Sequence, residues 1–452
     1  MNKRSQSKLA PVPFAAKQAR KVQQQFDFGE ENTRWSWTEA SVWTDRMLTA
    51  LENGVQGGKW FSLIDKVYSP ANLRSAFKEV ARNDGAAGVD HVTIEMFQKG
   101  LDQEIDRLSV ALKTETYQPQ SVRRTWIDKA GSTEKRPLGI PTVRDRTAQN
   151  ALRHVIEPIF ERDFAEHSYG FRPGRGCHDA LSRVEQLLDA GYHYVVDADL
   201  KGYFDSINHD ILMSRIETKI ADGRVLHLIR QLLTQEIFED MATWTPEMGC
   251  PQGSVLSPLL SNIYLDPLDH LLQEHGYEMV RYADDFVVLC RTREAAESAL
   301  ALVQTWTTEV KLTLHPVKTQ LVNANESGFD FLGYHFERGY RWPRSKSLQK
   351  LKDTIRAKTQ RSNGHSLSDI IADLNRTLEG WFGYFKHSHG TTFPPLDKWL
   401  RMRLRSILRK RQHKRGRGRG SDHQRWPNIF FVRQGLFSLE TAYCLLSQPT
   451  RW

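Results

Sequence analysis

Cysteine is scarce in this sequence of 452 residues: there are four, and they lie far apart. No C-x-x-C pair is present to bind zinc, and the spacing does not suggest a disulfide framework. Long apolar runs are also missing, since no window approaches the roughly 18 consecutive apolar residues of a membrane span. No basic stretch leads into an apolar signal core. These absences argue against a secreted or membrane-spanning protein and favour a reducing interior.

Acidic residues are few in the last quarter of the chain. Residues 341–452 contain 24 Lys and Arg against 7 Asp and Glu, a net charge of +17, whereas residues 1–340 have a net charge of −8. Basic residues that sit among aromatic residues without an apolar anchor favour nucleic acid over a membrane surface as the partner. A solvated tail that is kept soluble by its charge is the simpler alternative.

Composition and periodicity divide the chain into five segments. Residues 1–34 are predicted to form a basic, mobile leader, which would be either an RNA-contacting arm or an organellar targeting segment. Residues 35–110 have a mainly helical pattern, and residues 111–340 mix strands and helices with turn-rich interruptions. Residues 341–405 are predicted to be helical, and residues 406–452 form a basic C-terminal segment. The predicted fold class is α+β.

Two adjacent carboxylates interrupt the apolar stretch "MVRYADDFVVLC", residues 279–290. The apolar residues on each side predict two short strands, with Asp284 and Asp285 at the turn of a tight hairpin. Burying an unpaired carboxylate costs roughly several kcal/mol, so a divalent cation is expected to meet them. Aspartates are also common in exposed turns, because Asp tolerates turn geometry. This stretch alone therefore leaves both interpretations open.

A second acidic strand is predicted in "YHYVVDADLKGYFDSINHD". The run from Tyr192 to Val196 reads as a strand that carries Asp197 and Asp199 on one face, because side chains alternate along a strand. Three carboxylates from two adjacent strands would hold two Mg²⁺ ions, with Mn²⁺ as a substitute. Such a pair of ions activates a 3′-hydroxyl and neutralises a triphosphate. The pattern therefore predicts phosphoryl transfer on a nucleotide.

The order of motifs resembles that of reverse transcriptases. "YADD" resembles their YxDD box, and Asp199 followed by Phe204 resembles their other acidic palm motif. "PQGSVLSPLLSNIYLDPLD" resembles the central motif, in which Ser257 is predicted to cap a helix that begins at Pro258. "KRPLGIPTVRDR" and "SYGFRPGRGCHDAL" resemble fingers motifs, and "LTLHPVKTQ" and "FDFLGYHF" resemble the last palm and primer-grip elements. The resemblance implies a right-hand polymerase whose palm contains an antiparallel sheet.

Two further stretches, "NDGAAGVDHVTIEMF" and "LNRTLEGWFGYFK", resemble bacterial group II intron reverse transcriptase/maturases. The resemblance implies fingers and palm over residues 111–340, an α-helical thumb/maturase domain over 341–405 and a nucleic-acid-binding segment over 406–452. Many relatives append an H-N-H endonuclease with paired cysteines, which this sequence lacks. Cleavage of the second strand of target DNA is therefore not expected from this chain.

The function implied is that of an RNA-directed DNA polymerase that binds its intron RNA and assists splicing and mobility by target-primed reverse transcription. The implied partners are group II intron RNA, target DNA, an RNA template-primer and dNTPs, and no membrane. The implied location is the bacterial cytoplasm, with association with the nucleoid when DNA is bound, and an organellar location stays open.

The resemblance also assigns roles to individual residues. Asp199, Asp284 and Asp285 are the expected catalytic metal ligands. Strand physics alone would not choose between Asp197 and Asp199, but the spacing to Phe204 selects Asp199. The expected dNTP contacts are Lys129, Arg136, Phe204, Gln252, Gly253 and Lys318.

These nucleotide contacts have distinct expected roles. Phe204 should lie under the incoming sugar and clash with a 2′-hydroxyl, although an aromatic residue beside a strand is by default part of a core. Gly253 should permit close approach of the backbone. Lys129 and Arg136 should hold the triphosphate, and Lys318 should protonate the departing pyrophosphate.

In the maturase-like region an apolar helix face is predicted, and charged residues outside it are the candidates for RNA binding. The apolar face consists of Leu374, Leu378, Trp381, Phe382 and Phe385, which fall at helical spacing. In the following basic stretch, the leucines and Ile407 are predicted to pack while the arginines project to phosphates. The expected RNA contacts are Arg376, Lys386, Arg403, Arg405, Arg409 and Lys410.

Three other functions compete with this interpretation. A reverse transcriptase could serve another purpose, such as phage defence or diversity generation, but the maturase-like helix and basic tail disfavour it. An RNA-binding splicing factor without polymerase activity is disfavoured by the intact "YADD". A different palm enzyme, an RNA polymerase or a nucleotide cyclase, is disfavoured by Phe204 and by the fingers motifs, respectively.

Overall fold

The computed structural model describes residues 34–55, 57–128, 135–240, 242–418 and 420–447. Almost all of the predicted leader, and Lys129, lie outside these residues. The described chain up to Leu332, together with Glu337–Gly339, forms one compact unit. A second unit consists of Gly333–Phe336 and the described residues from Tyr340 onward. The mixed α+β class predicted from the sequence is confirmed, with antiparallel sheets and a helical C-terminal region.

The strands follow one another along the chain with these bounds: β1 (Val122–Asp128), β2 (Lys135–Ile140), β3 (Tyr194–Asp199), β4 (Ile237–Glu239), β5 (Ala242–Trp244), β6 (Glu278–Tyr282), β7 (Asp285–Cys290), β8 (Gln320–Asn323), β9 (Phe329–Phe331), β10 (Tyr334–Glu337) and β11 (Tyr340–Pro343).

The helices of the first unit are α1 (Asp45–Asn53), α2 (Ile64–Val67), α3 (Pro70–Asn83), α4 (Ile94–Lys99), α5 (Leu101–Lys113), α6 (Val143–Glu161), α7 (Cys177–Asp189), α8 (Tyr203–Ser206), α9 (His209–Glu217), α10 (Gly223–Leu233), α11 (Ser257–Glu274) and α12 (Arg293–Glu309). The helices of the second unit are α13 (Ser345–Lys358), α14 (Leu367–Phe385), α15 (Phe393–Arg411), α16 (Ser421–Arg425), α17 (Asn428–Arg433) and α18 (Leu439–Ser447).

Helix α6 organises the N-terminal part of the first unit. Thr142 begins it as an N-cap whose side chain accepts a hydrogen bond from the backbone N–H of Asp145 at 3.1 Å, which satisfies one of the helix's free donors. Most of α6 is buried, and α2, α3 and α5 pack against it. The indole of Trp43 donates to the carbonyl of His154 at 2.8 Å. The region predicted to be helical is thus joined to the polymerase-like part by a shared core.

Two sheets lie in the first unit. One has the strand order β2-β1-β4-β5, and the other has the order β6-β7-β3-β8. In the second sheet β7 and β3 are the inner strands, and every described pairing is antiparallel. Helix α12 packs against β3 and β7, while α7 and α11 pack against β6. The apolar residues of β7, from Phe286 to Cys290, are buried, which explains why this strand reads as a continuous hydrophobic run.

The second unit has its own core, built mainly from α13, α14, α15, α17 and α18. The predicted apolar face of α14 is confirmed: Leu374, Leu378, Phe382 and Phe385 are buried, and Trp381 packs beside them. Helix α15 runs through the boundary expected between residues 405 and 406. The residues that follow, including buried Trp426 and Phe431, belong to the same core. That boundary is wrong, because the basic segment supplies apolar anchors to the helical unit.

No helix within the described residues is both long enough and apolar enough to cross a membrane.

Candidate active site

Two acidic residues face each other across the inner strands of the β6-β7-β3-β8 sheet. Asp199, the last residue of β3, is the Cα partner of Asp285, the first residue of β7. Directly opposed residues in an antiparallel pair have Cα atoms about 4.5 to 5.5 Å apart. Asp197 is instead the partner of Val287, two positions further from the turn. The register therefore separates two aspartates that the sequence placed on one strand face.

The predicted tight hairpin is confirmed, but its two loop residues are Ala283 and Asp284, and Asp285, which was also expected at the turn, is the first residue of β7. Ala283 has a φ of 60°, a left-handed conformation that such turns usually assign to Gly, Asn or Asp. Burial raises the pKa of Asp284 above its ordinary value, and the negative charge of Asp199 raises it further, while Arg136 and Arg281 lower it. Asp284 thus lies within electrostatic reach of both an acidic and a basic neighbour.

A buried arginine, not predicted as a site residue, supports this hairpin. Arg281 is fully buried, and its Nε donates to Asp269 Oδ1 at 2.8 Å. Its Nη1 donates to the Ala283 carbonyl at 3.0 Å and to Asn262 Oδ1 at 2.9 Å. The sequence signal was available, since a charged residue stands inside the apolar run immediately before "YADD".

Lys318 and Asp197 are two charged neighbours of Asp199. Lys318 forms an ion pair with Asp199 Oδ2, although its side chain is 63% exposed. Burial raises the pKa of Asp197 to about 6, and Asp330 and Asp199 add to the shift, while a hydrogen bond from Gln320 opposes it. The lysine expected to protonate pyrophosphate therefore contacts a candidate metal ligand in this structure.

Phe204 follows β3 in the short helix α8 and is half-buried. Its ring meets that of Tyr203 edge to face, with centroids 5.3 Å apart. Its carbonyl accepts a hydrogen bond from the backbone N–H of Cys250 at 2.7 Å. Tyr203 is anchored in turn, since its hydroxyl donates to the carbonyl of Ser261 at 2.8 Å. Phe204 is thus held between the acidic strand and the segment that leads into "PQG".

The "PQG" segment packs against β2. The backbone N–H of Gly139 donates to the carbonyl of Gln252 at 2.6 Å. Gly253 has a φ of 106°, and a Cβ atom there would lie 2.2 Å from the carbonyl oxygen of Gly139. Both the conformation and the space require glycine. Arg136 lies on the same strand as Gly139, and its positive charge lowers the pKa of Asp284.

Ser257 does not cap the helix of the central motif. Helix α11 begins at Ser257 itself, with Leu256 in the N-cap position, and the Ser257 hydroxyl donates to the carbonyl of Pro251 at 2.9 Å. That prediction was wrong, because the hydroxyl bonds to a carbonyl of the preceding loop instead of to the first turn of the helix.

The carboxylates of Asp199, Asp284 and Asp285 are suitable ligands for a divalent cation. The negative charge of Asp199 raises the pKa of Asp284, and the Lys318 ammonium already pairs with Asp199. Oxygen ligands of this kind are those that Mg²⁺ prefers. Within the described residues, no group of three or more Asp, Glu, His or Cys side chains has metal-binding spacing as it stands. Asp199, Asp284 and Asp285, which would hold the ion, lie at the end of the β3–β7 pairing and in its adjoining turn.

In the second unit, several of the arginines expected to contact RNA bond to the protein itself. Arg405 is only 3% exposed; its Nε donates to the carbonyl of Trp426 at 2.9 Å and its Nη2 to Asn428 Oδ1 at 2.7 Å. The expectation that Arg405 projects to phosphate is therefore wrong. It faces the core side of α15, where its hydrogen bonds and the Phe431 ring below it satisfy the buried charge.

The other expected RNA contacts differ in how much of each side chain is available. Arg403 donates to Thr359 Oγ1 at 2.5 Å, and Arg409 forms an ion pair with Asp422. Arg376 has a 79% exposed side chain and pairs with Asp373 at 3.1 Å. Lys386 is half-buried, and burial lowers its pKa. Lys410 is exposed at the end of α15.

An exposed basic cluster continues beyond Lys410. We define the exposed C-terminal cations as Lys410, Lys414, Arg415 and Arg417, all of which are exposed. Three of them follow the end of α15, in the segment that the sequence predicts to bind nucleic acid but in which no residue after Lys410 was named as a contact. The sequence signal was the "RGRGRG" run, in which arginine alternates with glycine and no apolar residue stands between the charges.

Comparison with known families gives two matches. Residues 127–336, which contain all three candidate aspartates, match the model described as "Reverse transcriptase (RNA-dependent DNA polymerase)". Residues 348–426 match "Group II intron, maturase-specific domain". The second match runs across the boundary at 405/406 that the structure also contradicts.

Two curated proteins illustrate the similarity. Protein YkfC of Escherichia coli (strain K12) is 33% identical over 317 residues, which cover 61% of this chain and 83% of YkfC. Group II intron-encoded protein LtrA of Lactococcus lactis subsp. cremoris is 40% identical over 196 residues. That alignment covers 43% of this chain and 32% of LtrA, so the similarity spans about a third of the longer protein.

Proposed function

Because this chain belongs to the family of group II intron-encoded reverse transcriptases, we propose that it copies RNA into DNA and also binds its intron RNA to assist splicing and mobility. The chain is an RNA-directed DNA polymerase that carries a maturase-specific domain. The observation that carries the proposal is the strand register that sets Asp199 opposite Asp285, beside the Asp284 turn. Target-primed reverse transcription, with target DNA and an RNA template-primer, is part of this proposal.

A reverse transcriptase domain depends on divalent metal ions, and Asp199, Asp284 and Asp285 would hold them here. Two Mg²⁺ ions held there, for which Mn²⁺ could substitute, would supply Lewis-acid activation of the primer 3′-hydroxyl and would neutralise charge on the triphosphate. The like-charge influence between Asp199 and Asp284 supports this assignment, since a cation relieves it. Asp197 takes no part as a ligand, because its partner in the sheet is Val287 rather than Asp285.

The incoming dNTP would lie between the "PQG" segment and the carboxylates. Arg136 binds the triphosphate, and its electrostatic reach to Asp284 supports that position. Phe204 lies under the sugar, and Gln252 and Gly253 bound the pocket through their contact with Gly139. Lys318 moves from Asp199 to the leaving pyrophosphate and donates a proton there. Lys129, outside the described residues, completes the triphosphate contacts.

Intron RNA would bind through cations of the second unit, and the maturase-specific match supports this partner. The exposed C-terminal cations and Arg376 are the contacts that the accessible surface favours. Arg403 and Arg409 orient the helices, Lys386 contributes at the end of α14, and Arg405 is excluded by burial. The proposed organisation is a leader over 1–34, an extension over 35–110, fingers and palm over 111–340, and a thumb/maturase domain after residue 340.

Primer extension tests the polymerase half directly. The full chain is given a DNA primer on an RNA template, with dNTPs and either Mg²⁺, Ca²⁺ or EDTA. Extension with Mg²⁺ alone among these supports the proposal, and absence of extension on several RNA templates contradicts it. A splicing assay with the intron RNA tests the maturase half, and normal splicing without the protein would contradict it. A cytoplasmic location, at the nucleoid when DNA is bound, completes the proposal.

A further inference from the structure

The guanidinium of Arg281 contacts three different groups: the Asp269 carboxylate, the Ala283 carbonyl and the Asn262 side chain. Its Nε lies 2.8 Å and 3.1 Å from the two oxygens of Asp269, and its Nη2 completes this bidentate ion pair. Asp269 is itself buried, so the pair neutralises both charges. The remaining arm, Nη1, is not needed for neutralisation, and it donates to the Ala283 carbonyl and to Asn262.

The carbonyl that Nη1 holds lies at the strained point of the hairpin. Ala283 adopts a φ of 60°, and a conformation of this kind persists in a residue other than glycine only when its surroundings hold it. The carbonyl belongs to the peptide that joins Ala283 to Asp284. Fixing the plane of that peptide also fixes the direction in which the Asp284 side chain leaves the backbone.

The segment of residues 167–170 holds the same hairpin from the other side. The backbone N–H of Tyr169 donates to the Arg281 carbonyl at 2.8 Å, and the N–H of Arg281 donates to the His167 carbonyl at 2.9 Å. Asn262, which accepts from Arg281, also donates to the Gly170 carbonyl at 2.9 Å. One asparagine thus links both supports of the turn.

Gly170 lies directly against the turn backbone. A Cβ atom at this position would be 2.2 Å from the Ala283 nitrogen, 2.8 Å from the Tyr282 carbonyl carbon and 3.0 Å from the Ala283 Cα. All three are backbone atoms, so they could give way only if the hairpin itself moved. A methyl group at Gly170 would thus move the turn that carries Asp284 without adding or removing a charge.

We propose that Arg281, Asn262 and Gly170 act as positioning residues that fix the Ala283–Asp284 peptide and thereby aim the Asp284 and Asp285 carboxylates. The inference rests on the proposed polymerase function and adds a specific support for its acidic residues. Displacing a reacting group by about 1 Å can cost on the order of 100-fold in rate. The support should therefore affect the catalytic step and metal binding more than the binding of substrates.

Two variants separate this role from general stability. Arg281→Lys keeps a positive charge beside Asp269 but loses the guanidinium Nη1 that donates to Ala283 and Asn262. Gly170→Ala changes no charge and pushes on the turn backbone. The matched control is Gly223→Ala in the same unit, because a Cβ atom at Gly223 meets nothing within 4 Å.

The full-length variants are compared in four measurements: thermal unfolding, primer–template affinity by fluorescence anisotropy, steady-state kcat and KM for a dNTP, and Mn²⁺ binding by electron paramagnetic resonance. We expect both variants to fold and to bind primer–template and dNTP within about threefold of the original protein. For both we expect kcat to fall by about 100-fold and Mn²⁺ binding to weaken. Gly223→Ala should match the original protein in all four.

The outcomes distinguish this inference from the proposed function. If the unaltered chain adds no nucleotide, the proposed function fails, and the Mn²⁺ titration still tests the support of the turn. Unchanged kcat and Mn²⁺ binding in Gly170→Ala would overturn the inference, as would an equal loss in Gly223→Ala. A Gly170→Ala protein that does not fold would also overturn it, because a local shift of the hairpin should leave both cores intact. If only Arg281→Lys fails to fold, the kcat and Mn²⁺ binding of Gly170→Ala decide whether the inference stands.

Discussion

Asp199 and Asp285 are Cα partners at the end of the β3–β7 pairing, where the hairpin carries Asp284. Asp197, two residues earlier, lies opposite Val287 and accepts a hydrogen bond from Gln320 at 3.4 Å. Both aspartates lie on one face of β3, as strand alternation requires. Side-chain alternation alone cannot distinguish the two aspartates. The strand register does, because only Asp199 lies beside the turn that carries Asp284.

The first prediction concerns these carboxylates. Asp199→Asn and Asp284→Asn should each lower primer extension by roughly 100-fold or more, because an amide holds a divalent cation poorly and removing preorganised charge costs this much. Asp197→Asn is the matched control on the same strand face, and its effect should be mild. Extension rates with Mg²⁺ are measured alongside thermal unfolding. Full activity in either of the first two variants, or a greater loss in Asp197→Asn, would contradict the assignment.

The second prediction concerns sugar choice. Phe204→Val should open space beneath the 2′ position and lower discrimination against ribonucleotides by about tenfold or more, a typical energetic effect of pocket size. Incorporation of dNTPs should weaken modestly, since the ring also packs on Tyr203. Single-nucleotide addition with each nucleotide type gives the ratio of kcat/KM values. If the variant and the original protein had the same ratio, Phe204 would have only a structural role and would not select the sugar.

The third prediction concerns the contact between Gly253 and Gly139. Gly253→Ala places a methyl group 2.2 Å from a backbone oxygen and at a φ of 106°, so the "PQG" segment must move away from β2. We expect KM for dNTP to rise by about tenfold or more, because a displacement of about 1 Å at a binding residue can cost up to 100-fold. Gly223→Ala again serves as the control. The same KM in both variants would show that this segment does not bound the nucleotide.

The hairpin and the α14 core face were predictable because their patterns are local. Strand alternation and helical spacing follow from side-chain geometry, so "MVRYADDFVVLC" and "LNRTLEGWFGYFK" revealed their elements directly. The choice of Asp199 needed either a family resemblance or a known register. The roles assigned to the nucleotide contacts stay predictions, because they depend on a substrate.

Whether an individual charged residue is exposed or buried was not predictable, because this depends on hydrogen-bond partners that are distant in sequence. Arg405 follows a buried leucine on α15, yet its partners are Trp426 and Asn428. Arg281 pairs with Asp269 and also reaches Asn262. A charge on a predicted helix or strand is solvated by default, and only tertiary structure shows the exceptions.

The fourth prediction concerns two glutamates with opposite pKa shifts. Burial raises the pKa of Glu157 from 4.5 to about 7, so its protonated form is favoured in the fold. Its contribution to stability is fully present below about pH 4.5 and is lost as the pH rises through 7. Glu157→Gln should therefore be more stable than the original protein at pH 8, by at most about 3 kcal/mol, and the difference should vanish near pH 4.5.

Glu79 is the matched control for that experiment. A hydrogen bond with His154 is the largest cause that lowers its pKa, to about 2, so its stabilising contribution is present above about pH 4.5 and is lost as the pH falls toward 2. Glu79→Gln should destabilise the protein at pH 8. Midpoints of denaturant unfolding at several pH values give both comparisons. A pH-independent effect of Glu157→Gln would contradict the burial argument.

The last prediction separates intron binding from DNA synthesis. Replacing Lys410, Lys414, Arg415 and Arg417 together by glutamine should weaken intron RNA binding at physiological salt and flatten its salt dependence, because each lost phosphate contact removes released counterions. Arg405→Ala should instead lower the unfolding temperature of the protein, because it leaves hydrogen-bond partners in the core unsatisfied. Its salt slope for RNA binding should stay close to that of the original protein.

The same variants are then assayed for splicing and for extension of a short primer. The fourfold glutamine variant should lose assisted splicing while keeping most of its extension activity, since the four side chains lie in the helical unit and not in the unit that carries the carboxylates. Asp284→Asn should show the reverse, with extension lost and splicing retained, because the proposed role in splicing is to stabilise folded RNA and needs no polymerase chemistry. If the glutamine variant splices normally while Asp284→Asn does not, the proposed maturase surface is wrong and splicing depends on the polymerase site.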